Sequence, residues 1–291
     1  MAIALVHMFV SFKEKFMTSI AFMVDPTRCI QCDACVDDCP SHIIERSRER
    51  SGSTPSLAMA SEELCLQCQH CLAVCPTGSI SIFGLKPENS LTLANDTFPS
   101  REQMKTFVRG RRSVRQFKRE NIPARLIDEL LADLAHAPTG CNARDLTFSI
   151  VDDRQGVERL LERMISVIEN EPDAAVPDFV RAAASSYRQD QSDHFFRGAP
   201  HLLVVSPGTT ALCGHEDVVI ALTYFEMLAQ SAGLGTTWCG ILKLAADAVS
   251  GIRPILGLAP DTYFYTMMFG FPAVKYARTV QRDTAARIHH I

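Results

Sequence analysis

The chain has 291 residues and a formal net charge of −4, with both signs of charge interspersed. That length suits two domains, and the charge provides neither a basic footprint for nucleic acid nor a polybasic membrane anchor. Partners are therefore expected among small molecules and redox proteins.

Ala2 to Val10 is nearly all apolar. No basic residue precedes it, no small-x-small cleavage site follows, and it is too short to span a bilayer. It reads as an amphipathic extension, or as the result of an upstream start codon with Met17 or Met23 as the true beginning. Ile20 to Val24 then predicts a short strand leading into Asp25-Pro26. Two cysteine runs of one spacing follow, Cys29, Cys32, Cys35, Cys39-Pro40 and Cys65, Cys68, Cys71, Cys75-Pro76. Between them Glu45 to Ser56, charged and rich in serine, reads as a solvated loop. Ser79 to Phe83 mirrors the first strand and is expected to pair with it.

Both runs read C-x-x-C-x-x-C-x-x-x-C-P. Three thiolates spaced by two residues wrap one face of an iron-sulfur cube, and the fourth, followed by proline, ligates the other cube. This assigns Cys29, Cys32, Cys35 and Cys75 to one 4Fe-4S cluster, and Cys65, Cys68, Cys71 and Cys39 to a second. Zinc sites use two cysteine pairs without a third, evenly spaced thiol, and disulfide frameworks belong to small secreted domains. The arrangement resembles a bacterial two-cluster ferredoxin, which implies reduced thiols and a cytoplasmic setting. Asp33, Asp37 and Asp38 crowd the first run where the second has Gln67, Gln69 and His70, so the first cluster is expected to be the more reducing. His70 reads either as a donor to a cluster sulfur or as a solvated side chain.

Residues 18–85 are assigned to this domain, 86–101 to a linker with Pro87, Asn89 and Pro99, and 102–291 to a second domain. Leu126, Ile127, Leu130, Leu131 and Leu134 after Pro123 predict an amphipathic helix that ends before Pro138. Val157, Leu160, Leu161, Met164, Ile165 and Ile168 predict another, while Asp217 to Ala232 is apolar almost all round and should be buried centrally. Strands are expected at Leu146 to Val151, Leu202 to Ser206 and Tyr263 to Phe269. The fold class is α+β, with one antiparallel-dominated sheet of unspecified strand order.

Arg111, Arg112, Ser113 and Arg115 put three guanidiniums and a hydroxyl within five residues. Alone they read as a phosphate grip or as a solvated basic turn. They are followed by Ala137-Pro138-Thr139-Gly140-Cys141-Asn142, by Ala232-Gly233-Leu234-Gly235-Thr236-Thr237-Trp238-Cys239-Gly240, and by Phe269-Gly270-Phe271-Pro272. In that order the motifs resemble the FMN-dependent nitroreductase family over roughly residues 104–282. The resemblance implies that Arg111, Arg112, Ser113 and Arg115 bind the FMN phosphate and ribityl chain, together with Arg278 and Arg282. It places Thr139, Gly140 and Asn142 against the isoalloxazine ring, and Thr237, Trp238, Cys239 and Gly240 where backbone amides reach the ring's N5 and O4. It also implies a homodimer and a small organic acceptor of nitroaromatic, quinone or enone type. No G-x-G-x-x-G fingerprint is present, but the family binds nicotinamide directly over the flavin.

Arg144 stands where the family usually has glutamine, and is assigned to the reduced flavin or to an acidic substrate group. Cys141, Cys213 and Cys239 are expected to be small buried hydrophobes, Trp238 a wall of the flavin site or core, and His194 and His201 structural. The domain order suggests electrons passing from an external donor, a reduced ferredoxin or NAD(P)H, through the clusters to FMN. An electron-transfer flavoprotein serving a protein partner is the alternative, and reductive dehalogenation or flavin-modifying chemistry a third reading on the same fold.

Overall fold

The computed structural model describes residues 20–46, 53–94, 96–172, 176–282 and 287–290. The apolar stretch at 2–10 and the middle of the 45–56 segment lie outside the described residues. The chain divides into two compact units between Phe98 and Pro99.

The first unit contains β1 (Met23–Val24), α1 (Ala34–Asp37), β2 (Ile44–Glu45), β3 (Ser56–Leu57), α2 (His70–Val74) and β4 (Ile80–Ser81). β1 pairs antiparallel with β4, with Met23 opposite Ser81 and Val24 opposite Ile80. Both strands are shorter than expected because Ala21 and Phe83 take left-handed backbone, at φ 43° and 57°, which breaks an extended run. β2 pairs with β3, so the segment read as a solvated loop has ordered, hydrogen-bonded ends. The apolar core is small: Ile20, Ile43, Ile44, Leu72, Ile80 and Ile82, packed with Cys35, Cys39 and Cys71.

The second unit opens with α3 (Arg101–Gly110), whose start is set by a capping box: Ser100 Oγ accepts from Gln103 N, and Gln103 Oε1 from Ser100 N. There follow α4 (Ala124–Asp133), β5 (Leu146–Val151), α5 (Arg154–Asn170), α6 (Asp178–Asp190), β6 (His201–Pro207), α7 (Gly214–Ser231), β7 (Gly235–Trp238), α8 (Gly240–Ala248), α9 (Ile252–Ile255) and β8 (Tyr265–Gly270). Four strands form one antiparallel sheet in the order β5-β6-β8-β7.

Alternation along the central strands sorts the core into two layers. Leu202, Val204 and Met268 face the cluster built with α5, α6 and α8, through residues such as Met164, Val180 and Leu242. Leu203, Val205, Met267 and Phe269 face the cluster built with α4 and α7, through Ile127, Leu222 and Phe225. Helices thus cover both faces of the sheet, which explains why β6 is a continuous buried apolar run.

α7 corrects one expectation. Val218, Ala221, Leu222, Phe225 and Ala229 are buried, but Val219 and Tyr224 are 40% and 43% exposed. Its apolar surround is therefore only half used within one chain.

Candidate functional site

The two cysteine runs share a backbone device. Gln31 and Asp33 in the first, and Gln67 and Gln69 in the second, all adopt left-handed φ between 53° and 61°. Such conformations are costly for residues other than glycine, and they curl each C-x-x-C-x-x-C run so that its thiols face inward. One hollow is lined by Cys29, Cys32, Cys35 and Cys75. Another is lined by Cys39, Cys65, Cys68 and Cys71. Among the described residues no three His, Cys, Asp or Glu groups converge tightly enough to hold a single metal ion. An all-thiol donor set spread around a hollow fits a polynuclear cluster better than one tetrahedral zinc, whose ligands crowd at about 2.3 Å from the metal.

The surroundings of the two hollows differ. Cys75 Sγ lies 3.2 Å from both the Ser79 amide and its hydroxyl. Burial pushes this thiol up, but the hydrogen bonds from Ser79 and Thr77 outweigh it and bring its pKa down to about 7. Burial pushes Cys35 up to about 11 and Cys71 up to about 12. Arg46 partly neutralises the acidic crowding of the first run, lying 2.7 Å from Asp37 and 3.4 Å from Asp33, and His70 Nδ1 lies within hydrogen-bond distance of Asp38 at 3.1 Å. The sequence shows the carboxylates of one motif, but not the arginine that folds back onto them.

In the second unit, residues 113–118 are stitched between two segments. Ser113 bridges Thr236 in parallel, Val114 N donates to Thr236 O, and Thr237 Oγ1 donates to Val114 O. On the other side Lys118 N donates to Phe271 O, and Ala273 N to Gln116 O. The Arg-Arg-Ser segment, β7 and the Phe-Gly-Phe-Pro segment are thereby brought together. Arg112 Nε is buried without a hydrogen-bond partner. An orphaned guanidinium donor beside Ser113 fits an oxyanion such as a phosphate. Arg115, Arg278 and Arg282 are exposed.

The amides of the 237–240 segment are not equally available. Cys239 N already donates to Thr266 O at 2.9 Å, while Gly240 begins α8, where first-turn N–H groups lack intrahelical partners. Trp238 packs edge-on against Tyr265, with ring centroids 5.3 Å apart.

The Thr139–Asn142 loop hangs elsewhere. Cys141, Asn142 and Arg144 all take left-handed φ, from 50° to 54°. Gly140 N donates to Asp217 Oδ1 at 2.9 Å, and Arg144 N to Thr139 Oγ1 at 2.9 Å. A side chain at Gly140 would collide with Cys213 Sγ at 2.8 Å. Backbone strain of this kind concentrates at ligand sites. Asp217 lies near the start of α7, nine residues before Glu226, the residue that anchors Arg111. At 1.5 Å rise per residue the two anchor points are about 13 Å apart along the helix.

In the second unit sequence reasoning missed Asp217 and Glu226, both buried acids on a helix read as apolar. Glu226 accepts from Arg111, Thr236 and Trp238. Their signal was present: an acid in an apolar helix requires a partner. The expectation of three buried cysteines holds for Cys239 alone, which is 1% exposed and held at a pKa of about 12 by burial; Cys141 and Cys213 are exposed. His201 is fully buried, its Nε2 accepting from Ile122 N at 2.8 Å. His194 and Arg144 are exposed.

Comparison with known proteins agrees with this geometry. Residues 108–271 match the nitroreductase family and residues 28–79 the 4Fe-4S dicluster domain. The chain is 27% identical to an iodotyrosine deiodinase of Thermotoga neapolitana over 132 residues, 44% of this chain and 69% of that one. It is 26% identical over 172 residues to a protein of Methanothermobacter thermautotrophicus provisionally named an NADH dehydrogenase/NAD(P)H nitroreductase, covering 57% of this chain and 75% of that one. Among solved structures, a nitroreductase with bound FMN from Bacteroides fragilis superposes with a TM-score of 0.52 at 22% identity, over 65% of this chain and 100% of that one.

Proposed function

The chain belongs to the nitroreductase family and carries a 4Fe-4S dicluster domain ahead of its family domain; on that premise we propose that it is an FMN-dependent oxidoreductase whose clusters feed electrons to the flavin for reduction of a small organic acceptor. The observation that carries this reading is the parting of eight thiols, four and four, around two hollows. When bound, the clusters supply one-electron transfer, and FMN supplies the conversion of single electrons into a two-electron reduction.

Cys29, Cys32, Cys35 and Cys75 hold one cluster and Cys39, Cys65, Cys68 and Cys71 the other, so each motif lends one ligand to its neighbour. Arg112 and Ser113 receive the FMN phosphate, with Arg115, Arg278 and Arg282 adding charge from the exposed side. Arg111, whose Nη1 is engaged by Glu226, presents its remaining donors to the same anion. Gly240 and the first turn of α8 turn amide donors toward the ring, where they stabilise negative charge without a titratable group. Thr139, Gly140 and Asn142 contact the ring of a second copy's site. The separation of their anchor from that of Arg111, and the exposed Val219 and Tyr224 on α7, support a homodimer. Arg144 orients an acidic substrate group; Arg144→Gln with unchanged flavin potential and substrate range would remove that role.

Nitroaromatics, quinones and enones are the first acceptors to test. Reductive dehalogenation is a second reading, favoured by the similarity to the Thermotoga deiodinase. Eight thiols kept reduced for iron support a cytoplasmic setting; among the described residues no helix is long and apolar enough to cross a membrane. The test is anaerobic: the reconstituted protein is offered reduced ferredoxin or NAD(P)H, bleaching of the flavin is followed, and candidate oxidants are added. Recovery of colour with a nitroaromatic, quinone, enone or halophenol supports the reading. Recovery with a protein oxidant alone replaces it with an electron carrier.

A further inference from the structure

Glu226 is 6% exposed, and its carboxylate meets donors from two separate segments. Arg111 Nη1 lies 3.1 Å and Thr236 Oγ1 3.3 Å from Oε1, while Trp238 Nε1 lies 3.3 Å from Oε2. Thr236 and Trp238 are two apart on β7, so both side chains fall on one face of the strand. A carboxylate is held inside a protein only when charged and hydrogen-bonded partners compensate its lost hydration. Here the compensating groups belong to the candidate cofactor site.

We infer that Glu226 is a positioning residue of the flavin site: one buried carboxylate fixes both the Arg111 guanidinium and the Trp238 indole. This rests on the FMN reading above and extends it. Arg111 has five N–H donors, and its side chain is 33% exposed. Nη1 serves as the hinge to Glu226, and the other donors are held ready for an anion. The indole of Trp238 is fixed by the same group, beside the 237–240 segment assigned to the ring. The two ends of the site thus share an anchor on α7.

Charge and positioning make opposite predictions. Deleting a negative charge 3.1 Å from an arginine strengthens the local positive field, and by Coulomb's law alone would tighten an anionic ligand. Deleting an anchor frees Arg111 and Trp238 to explore other rotamers, which must be reordered on binding, and weakens it. Positioning prevails in this site.

The test uses the full chain with its clusters reconstituted and compares wild type with Glu226→Gln, which keeps the volume but turns one acceptor into a donor. FMN affinity is read by quenching of flavin fluorescence. The flavin-free protein is read by emission and acrylamide quenching of Trp238, the single tryptophan of the chain. Glu226→Gln is expected to bind FMN at least tenfold more weakly and to expose Trp238 to acrylamide. Arg111→Gln should cost less in that background than in wild type, and Glu226→Asp should restore part of the loss. Unchanged or tighter FMN binding overturns the inference. If wild type binds no FMN, the flavin reading fails by itself. The anchor then stands if Glu226→Gln and Arg111→Gln both move Trp238 emission, and falls if neither or only one does. Should Glu226→Gln not fold by circular dichroism, Glu226→Asp and Arg111→Gln carry the same comparison.

Discussion

Ahead of Phe98, among the described residues, the α-helices have four and five residues and each strand has two. Beyond Pro99 one helix runs for 18 residues, and a seven-residue strand is buried almost throughout. Helices of one turn do not persist alone, and six buried aliphatic side chains make a thin core. The first unit therefore depends on what its thiols bind, as small metal-binding domains do. The second depends on side chains packed on both faces of its sheet.

The sharpest way to break this contrast is to remove iron. Chelation under oxidising conditions is expected to abolish amide-exchange protection across residues 20–46 and 53–85 while leaving the second unit's protection and thermal transition in place. Cys75→Ala should do the same while leaving seven of the eight thiols unchanged. A metal-free protein with full protection in the first unit would show that its apolar core suffices.

The converse experiment is Phe225→Ala. Phe225 is fully buried and packs edge-on to Phe269 at 5.0 Å between ring centroids. Truncation of a core phenylalanine costs about 3–5 kcal/mol, to be measured by denaturant unfolding of the second unit. Iron content should not change. Loss of iron together with stability would mean that the two units unfold as one.

The contrast also separates what could be read from sequence from what could not. Metal-binding spacing is local, so the dicluster domain was legible from eight cysteines and a pair of prolines. The helices at 124–133 and 154–170 were legible because leucines and isoleucines repeat along one face. α6 was not, because Ala183 and Ala184 carry much of its buried face and small residues give a weak periodic signal. β7 was hidden inside a glycine-threonine run that reads as a loop motif. The charged partners of Glu226 and Arg46 were hidden for another reason: Arg111 lies 115 residues from Glu226, and Arg46 reaches Asp33 and Asp37 across a chain reversal. Pairing of that kind follows from the fold and leaves no local pattern.

A gentler probe of the second unit is pH. Burial lowers the pKa of His201 below its usual 6.5, so the folded state holds the ring neutral while the unfolded chain protonates it. Its contribution is complete above pH 6.5 and declines as pH falls toward the folded value. The decline is at most about 1.4 kcal/mol per pH unit for a single proton. Unfolding of the second unit measured from pH 7.5 to 5 should show this slope, and His201→Gln should flatten it. An equal slope in the variant would assign the acid sensitivity to other groups.

The smallest expected effect is on the surface of the first unit, where charge should act on redox behaviour without acting on the fold. Arg46 is exposed and spans Asp37 and Asp33 beside the hollow of Cys29, Cys32, Cys35 and Cys75. Exposed pairs contribute little to stability because water and salt screen them, so Arg46→Ala should leave melting unmoved. It uncovers two carboxylates, however, and negative charge next to a cluster disfavours adding an electron. The potential of that cluster should fall relative to the other, and the gap should narrow again as salt is raised. The hydrogen bonds on Cys75 act in the opposite sense, since donors to a ligating sulfur ease reduction; Ser79→Ala should therefore lower the same potential by a route that salt does not reverse. Two potentials that ignore both substitutions would leave the asymmetry between the motifs without a redox consequence.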